Sequence, residues 1–337
     1  MTSGSPIHRT YIVAEMACSH EGDPALARVI VDGAGNAGAD AIQFQMWTAR
    51  DMMVPEHADF ELVCGLELSR DDWSSLARYA RQRYPSMQII ACVYEPGSVD
   101  FAESIAVDAY KLHTADLSNP SLVRHVARTG KRIDLSVGAS TIEEIQDALG
   151  WIAEASSSLV WLMYGYQNFP TRIDDVHLRY LVKLRDLFER RVGYQDHTDA
   201  AGLAGFWLPA AALGLGVDVL EKHITHDRAK RGVDHQAALN PDEFAQFVTM
   251  VREIEAAMGS GIPRPFSEDE QRYRRYSKKS IVAARDLEAG HVLEAADLLF
   301  MRTGELGLPP ADLPRLLNRS VARRIAKFER LMVADLS

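Results

Sequence analysis

From residue 11 to about residue 258, short apolar runs alternate with longer stretches whose apolar residues recur near i, i+3, i+4 and i+7. The runs are YIVAE (11–15), AIQFQ (41–45), QIIACV (88–93), AYKL (109–112), RIDLSV (132–137), LVWLMY (159–164), RVGYQ (191–195) and VDVLEKHI (217–224). Each is followed by a segment of helical period, such as PALARVIVDGAGNAG, RDDWSSLARYARQRY or DEFAQFVTMVREIEAAMG. Eight strand–helix units in about 250 residues predict an α/β fold closed into a parallel (β/α)8, or TIM, barrel. An open doubly wound sheet usually has fewer strands and a glycine-rich first turn, and no G-x-G-x-x-G or P-loop occurs here. Gly35 and Gly38 in GNAG read as helix-closing caps rather than a phosphate cradle.

After Gly259 the pattern changes. GSGIPRPFSEDEQRYRRYSKK is polar, rich in charge, proline and glycine, and without sustained period. The expected organisation is therefore a barrel domain over 1–260, a linker over 261–278 and a small β-rich domain over 279–337.

Composition narrows the function. A hydrophobic content of 47% in 337 residues is ample for a large core, and a net charge of −10 opposes a general role on nucleic acid or anionic membrane. No run approaches the roughly 18 apolar residues of a spanning helix, and the opening MTSGSPIHRT has no apolar signal-peptide core, so a cytoplasmic protein is expected. Three cysteines without C-x-x-C spacing suggest neither a disulfide framework nor a thiolate zinc site. Cys92 reads as a small buried hydrophobe.

Catalytic groups in such barrels gather at the C-terminal ends of the strands. The polar residues closing the runs are Glu15, Gln45, the Cys92–Glu95 turn, Lys111 with Thr114 and Asp116, Ser136, Gln167 with Asn168, Asp196 with His197, and Glu221 with His223. Singly, each is the sort of residue that caps a strand by hydrogen bonding. Together they predict one polar rim. His197 and His223 end neighbouring strands and are candidate ligands of one divalent ion, with open positions for water and substrate oxygens. Asp196 is a candidate to orient one imidazole. Lys111 suits a phosphate or carboxylate site with Thr114 and Ser136, or a Schiff-base role, or merely a lysine reaching out from a strand end.

The ordered motifs AEMACSHEGD (14–23), GADAIQFQ (38–45), AYKLHTADLSN (109–119), LSVGAST (135–141), FPT (169–171), GYQDHT (193–198), EKHIT (221–225), GVDHQAALNPDEF (232–244) and SIVAARDLEAGHVL (280–293) resemble the sialic acid synthase family over nearly the whole chain. The resemblance implies condensation of phosphoenolpyruvate with an aldehyde sugar, a divalent ion, usually manganese, on His197 and His223, and a C-terminal antifreeze-like domain. It also implies a homodimer in which that domain covers the partner's site and sends in Arg302, here within Arg302-Thr303-Gly304. Glu15, Asp116 and Asp234 become the candidate catalytic carboxylates. Gln43, Gln45, Lys111, Thr114, Ser136, Gln167, Phe169, Gln195 and Arg302 become the candidate substrate contacts. The chain departs from the family pattern where phosphate should bind: Gln43 replaces a lysine, Gln195 a serine and Val137 a threonine, and Ser19 stands for an asparagine. These changes keep open a phosphoenolpyruvate-independent aldolase or lyase on the same metal site, and a non-catalytic homologue.

Overall fold

In the computed structural model, which describes residues 9–337, eight parallel strands close on themselves: β1 (Tyr11–Glu15), β2 (Ala41–Met46), β3 (Gln88–Val93), β4 (Ala109–Leu112), β5 (Arg132–Ser136), β6 (Val160–Tyr164), β7 (Val192–Asp196) and β8 (Val219–His223). The segment read as lacking a signal peptide lies, up to residue 8, outside the described residues. Closure is made by β1 pairing with β8, with Glu15 opposite His223. The same glutamate stands opposite Gln43 of β2. No helix among the described residues is long and apolar enough to cross a membrane.

Both faces of every strand are covered, which explains the near-continuous apolar runs. Ile12, Ala14, Ile42, Phe44, Tyr110, Leu112, Ile133 and Leu135 point outwards and join the helices in the main core. The alternate residues point into the barrel. Low in the barrel these are Val13, Ala41, Ile90, Ala109, Trp161, Met163 and Val219, a second apolar cluster against which Tyr11 packs. The Arg132 guanidinium stacks 4.0 Å from the Trp161 ring centre and 4.7 Å from that of Tyr11, and pairs with buried Asp134. Apart from that buried ion pair, the inward residues of the lower barrel are apolar, and the polar ones gather in the upper layers.

Gly35 differs from its reading as a cap. It lies inside the helix Pro24–Ala37, where an added Cβ would come 2.4 Å from the Tyr84 ring. Gly38, with φ of 81°, is the cap.

The chain divides into two compact units, 1–260 and 261–337. In the second, β9 (Lys279–Ala283) and β10 (Leu298–Arg302) pair antiparallel over a core of Ile281, Leu287, Leu293, Leu298, Val321, Ile325 and Leu331. The 261–278 segment, expected to be a linker without sustained period, contains the helix Glu268–Ser277. A capping box between Ser267 and Glu270 starts it. That S-x-x-E signal was present in the sequence, but the helix is charged all round and so has no apolar period.

Candidate active site

Alternation along the strands places Glu15, Gln43, Gln45, Cys92, Lys111, Ser136, Gln195, Glu221 and His223 on the inside, at the C-terminal end of the barrel. With Tyr94, His113, Gln167, Phe169, His197 and Asp234 from the loops above, they line a cavity of about 140 Å³.

A buried chain of hydrogen bonds forms its floor. Ser136 Oγ donates to Gln195 Oε1 (2.9 Å), Gln195 Nε2 donates to Glu221 Oε1 (2.8 Å), and Lys111 Nζ donates to Glu221 Oε2 (2.5 Å). Lys111 and Glu221 are only 2% and 3% exposed, so removing either partner would leave an uncompensated charge at a cost of about 3–5 kcal/mol. Burial opposes the Lys111 charge, but Glu221 and Glu15 outweigh it and hold its pKa above the ordinary value. Lys111 is thus an internally paired cation, not one reaching outwards.

Glu15 Oε1 accepts from the Ala17 amide (2.6 Å) and from Gln45 Nε2 (3.3 Å), and Gln45 Oε1 accepts from Tyr94 (3.0 Å). Burial, reinforced by Glu221 and opposed by Lys111, pushes the Glu15 pKa up to about 8. Burial also raises Asp234 to about 6. Gln43 is buried with its Oε1 unpartnered. Cys92 is buried as expected, yet it lines the cavity, its thiol pKa raised by burial and by Glu15.

His197 and His223 lie side by side, ring centres 5.2 Å apart, with Phe169 edge-on to both at 4.6 and 5.9 Å. Burial lowers the pKa of both, and for His223 the neighbouring His197 adds to the effect, so both rings are neutral near pH 7. His197 Nδ1 donates to the Tyr166 carbonyl (2.9 Å), which leaves its Nε2 lone pair free. His223 Nδ1 is buried without a hydrogen-bond partner. Two neutral imidazoles, one fixed by a backbone carbonyl, fit a divalent ion. Asp196 does not orient either ring. Its side chain faces away from the cavity, where it accepts from Lys222 (2.6 Å), Tyr194 (3.0 Å) and the Thr198 hydroxyl (2.8 Å).

Thr114 and Asp116 do not reach the cavity. Both lie in the 3-10 turn Thr114–Asp116 beyond β4, where the two-residue alternation has ended. The Thr114 hydroxyl donates to the Gly138 carbonyl, and Asp116 accepts from Asn119 (3.3 Å). Arg302 ends β10 in the second unit, at a cleft shared with Met301, Glu305, Phe328 and Arg330. Sequence reading placed Glu221 and the Cys92–Glu95 turn on the rim without a specific role for Glu221 or Tyr94, and it passed over His113. Two-residue spacing from Cys92, Lys111 and His223 was the available signal. Outside the cavity, Glu21, His226 and His235 bring one ligand atom each to within 4.8 Å of one another.

A closed parallel barrel with carboxyls, a paired lysine and two imidazoles at its mouth has the layout of a small-molecule enzyme site. Residues 30–263 match the NeuB family and residues 278–336 the SAF domain, so the chain belongs to the NeuB family and carries a SAF domain. It is 33% identical, over 93% of its length and 90% of the relative's, to an uncharacterized protein of Methanocaldococcus jannaschii. To the N,N'-diacetyllegionaminic acid synthase of Legionella pneumophila it is 28% identical over 94% of its length and 91% of the relative's. The crystal structure of N-acetylneuraminic acid synthetase from Leptospira borgpetersenii superposes with a TM-score of 0.72 at 26% identity, over 80% of this chain and 92% of that one. The family and these relatives indicate a sugar-acid synthase of sialic or nonulosonic acid type.

Proposed function

We propose that the barrel condenses phosphoenolpyruvate with an aldehyde sugar to a nonulosonic-type 2-keto acid, with release of phosphate. The observation that carries this reading is the buried Lys111–Glu221–Gln195–Ser136 chain lying in one cavity with Glu15 and the His197 and His223 imidazoles. One ammonium there faces the carboxylates of Glu221 and Asp234 beside a protonated Glu15, so an anionic donor binds only if further positive charge offsets them. His197 and His223 would hold a divalent ion, manganese by family resemblance, which supplies that charge and Lewis-acid polarisation of the aldehyde oxygen.

The protein's own groups divide the remaining work. Lys111 and Ser136 meet the donor's anionic oxygens, while Gln43 and Gln45 offer amide contacts and Asp234 accepts from sugar hydroxyls. The donor's methylene carbon bonds to the aldehyde carbon, water adds at the phosphate-bearing carbon, and the C–O bond to phosphate breaks. One proton of the added water goes to the aldehyde oxygen, and Glu15, protonated at neutral pH, gives its proton to the departing phosphate and recovers one from the intermediate's hydroxyl as the keto group forms. Phe169 packs the imidazoles in place.

The reading includes a homodimer in which Arg302 of one copy serves the sugar in the other. The exposed apolar side chains Leu299, Phe300 and Met301 beside Arg302 support a covering surface. Mixing His197→Ala protomers with Arg302→Ala protomers should then restore activity that neither variant has alone.

The test of the reaction is phosphate release from phosphoenolpyruvate with manganese and a panel of aldehyde sugars; no release with any acceptor would reject it. A second reading, an aldolase or lyase needing no phosphate, is favoured by one observation: Lys111 and Gln195 are both spent on Glu221. Calorimetry separates the two, because micromolar binding of phosphoenolpyruvate excludes the second.

A further inference from the structure

We propose that Glu21, His226 and His235 form a second, structural site for a divalent transition-metal ion, distinct from the cavity and clasping the loop after β1 to the loop after β8. None of the three lines the cavity. Glu21 Oε1 stands 3.7 Å from His226 Nε2 and 3.7 Å from His235 Nε2, and the imidazole centres are 5.6 Å apart. These separations are too long for hydrogen bonds. They are close to the edge of a coordination polyhedron, since two ligands at about 2.1 Å from a tetrahedral ion stand about 3.4 Å apart.

The proton positions point the same way. His226 Nδ1 lies 3.0 Å from the Ser19 carbonyl, which only accepts, so Nδ1 carries a proton and Nε2 is the nitrogen turned towards the Glu21 carboxylate. Nε2 and the carboxylate oxygen stand 3.7 Å apart, beyond a hydrogen bond, a spacing that a shared cation would bridge. A ring nitrogen donating to a backbone carbonyl while the other faces the ion is also the usual support of a metal-bound histidine. His235 is fully buried, and burial lowers its pKa, which keeps its ring neutral and competent as a ligand. Gly232 leaves the space beside it open: a Cβ there would come 2.9 Å from His235 Nε2. The Thr225 hydroxyl lies 3.3 Å from the same nitrogen, within hydrogen-bond reach.

Two imidazoles and a carboxylate suit zinc, cobalt(II), iron(II) or manganese(II) rather than calcium or magnesium. The ion's consequence for the cavity runs through the chain. Asp234, which lines the cavity, directly precedes His235 and has a left-handed φ of 63°, so a clasped His235 holds that carboxyl in place.

The experiment uses the full-length chain, stripped of metal and titrated with zinc or cobalt(II) alone, with bound ion counted by elemental analysis. Glu21→Gln and His226→Leu should each bind one equivalent fewer than the unsubstituted protein, whatever the count at His197 and His223. In the His197→Ala/His223→Ala background one equivalent should remain, and His226→Leu should weaken it by more than about tenfold. Cobalt(II) absorption should change with the Glu21 and His226 substitutions. Unchanged stoichiometry in both single variants, or no ion bound in the folded double variant, overturns the proposal. Glu21 is partly exposed, so Glu21→Gln keeps the test decisive if another variant fails to fold.

Discussion

Glu15 illustrates how a side chain's chemistry is set by its neighbours. A glutamate in water is ionised at neutral pH, whereas burial beside Glu221 raises this one to about 8. A proton donor must be protonated to act, so the condensation rate should hold through neutrality and fall above about pH 8. Glu15→Gln should lower kcat by about 100-fold or more and remove that alkaline limb, as read from a pH–rate profile. The Asp196–Lys222 pair is the structural counterpart. Both groups are essentially fully buried and 2.6 Å apart, on the side of their strands away from the cavity. Lys222→Met strands a carboxylate in the core and should cost about 3–5 kcal/mol in urea denaturation. A loss below about 1 kcal/mol would show that water reaches Asp196.

Packing between elements overrides local preference at Gly35. Alanine gains about 1 kcal/mol over glycine in a helix, but a Cβ here would press into the Tyr84 ring, whose hydroxyl is tied to Asp32 and Asn36. Overpacking costs about 1–3 kcal/mol, so Gly35→Ala should lower the denaturation midpoint despite its better propensity. The strands were legible because burial on both faces imposes continuous apolar runs, and the ends of AYKL and QIIACV in the sequence match those of β4 and β3. The 3-10 turn Thr114–Asp116 was not. Once the alternation stops after His113, spacing no longer tells which side chain faces the barrel mouth.

For the whole molecule, the Glu221 and Asp234 carboxylates against one paired lysine make the cavity dependent on added positive charge. Stripping divalent ions should abolish condensation, and manganese should restore it in the unsubstituted protein but not in His197→Ala/His223→Ala, as measured by phosphate release. Activity that survives thorough stripping would reject the metal-dependent reading.

Hydrophobic periodicity alone determined a parallel barrel, and polar residues at the run ends marked one rim of it, because strand geometry repeats every two residues wherever the chain is. Tertiary structure decided which of those polar groups are consumed by one another. Glu221 takes Lys111 and Gln195, Lys222 takes Asp196, and Glu21 meets His226 and His235 across loops distant in the chain. Such pairings depend on barrel closure and loop path, which bring β8 beside β1 and which no local pattern encodes.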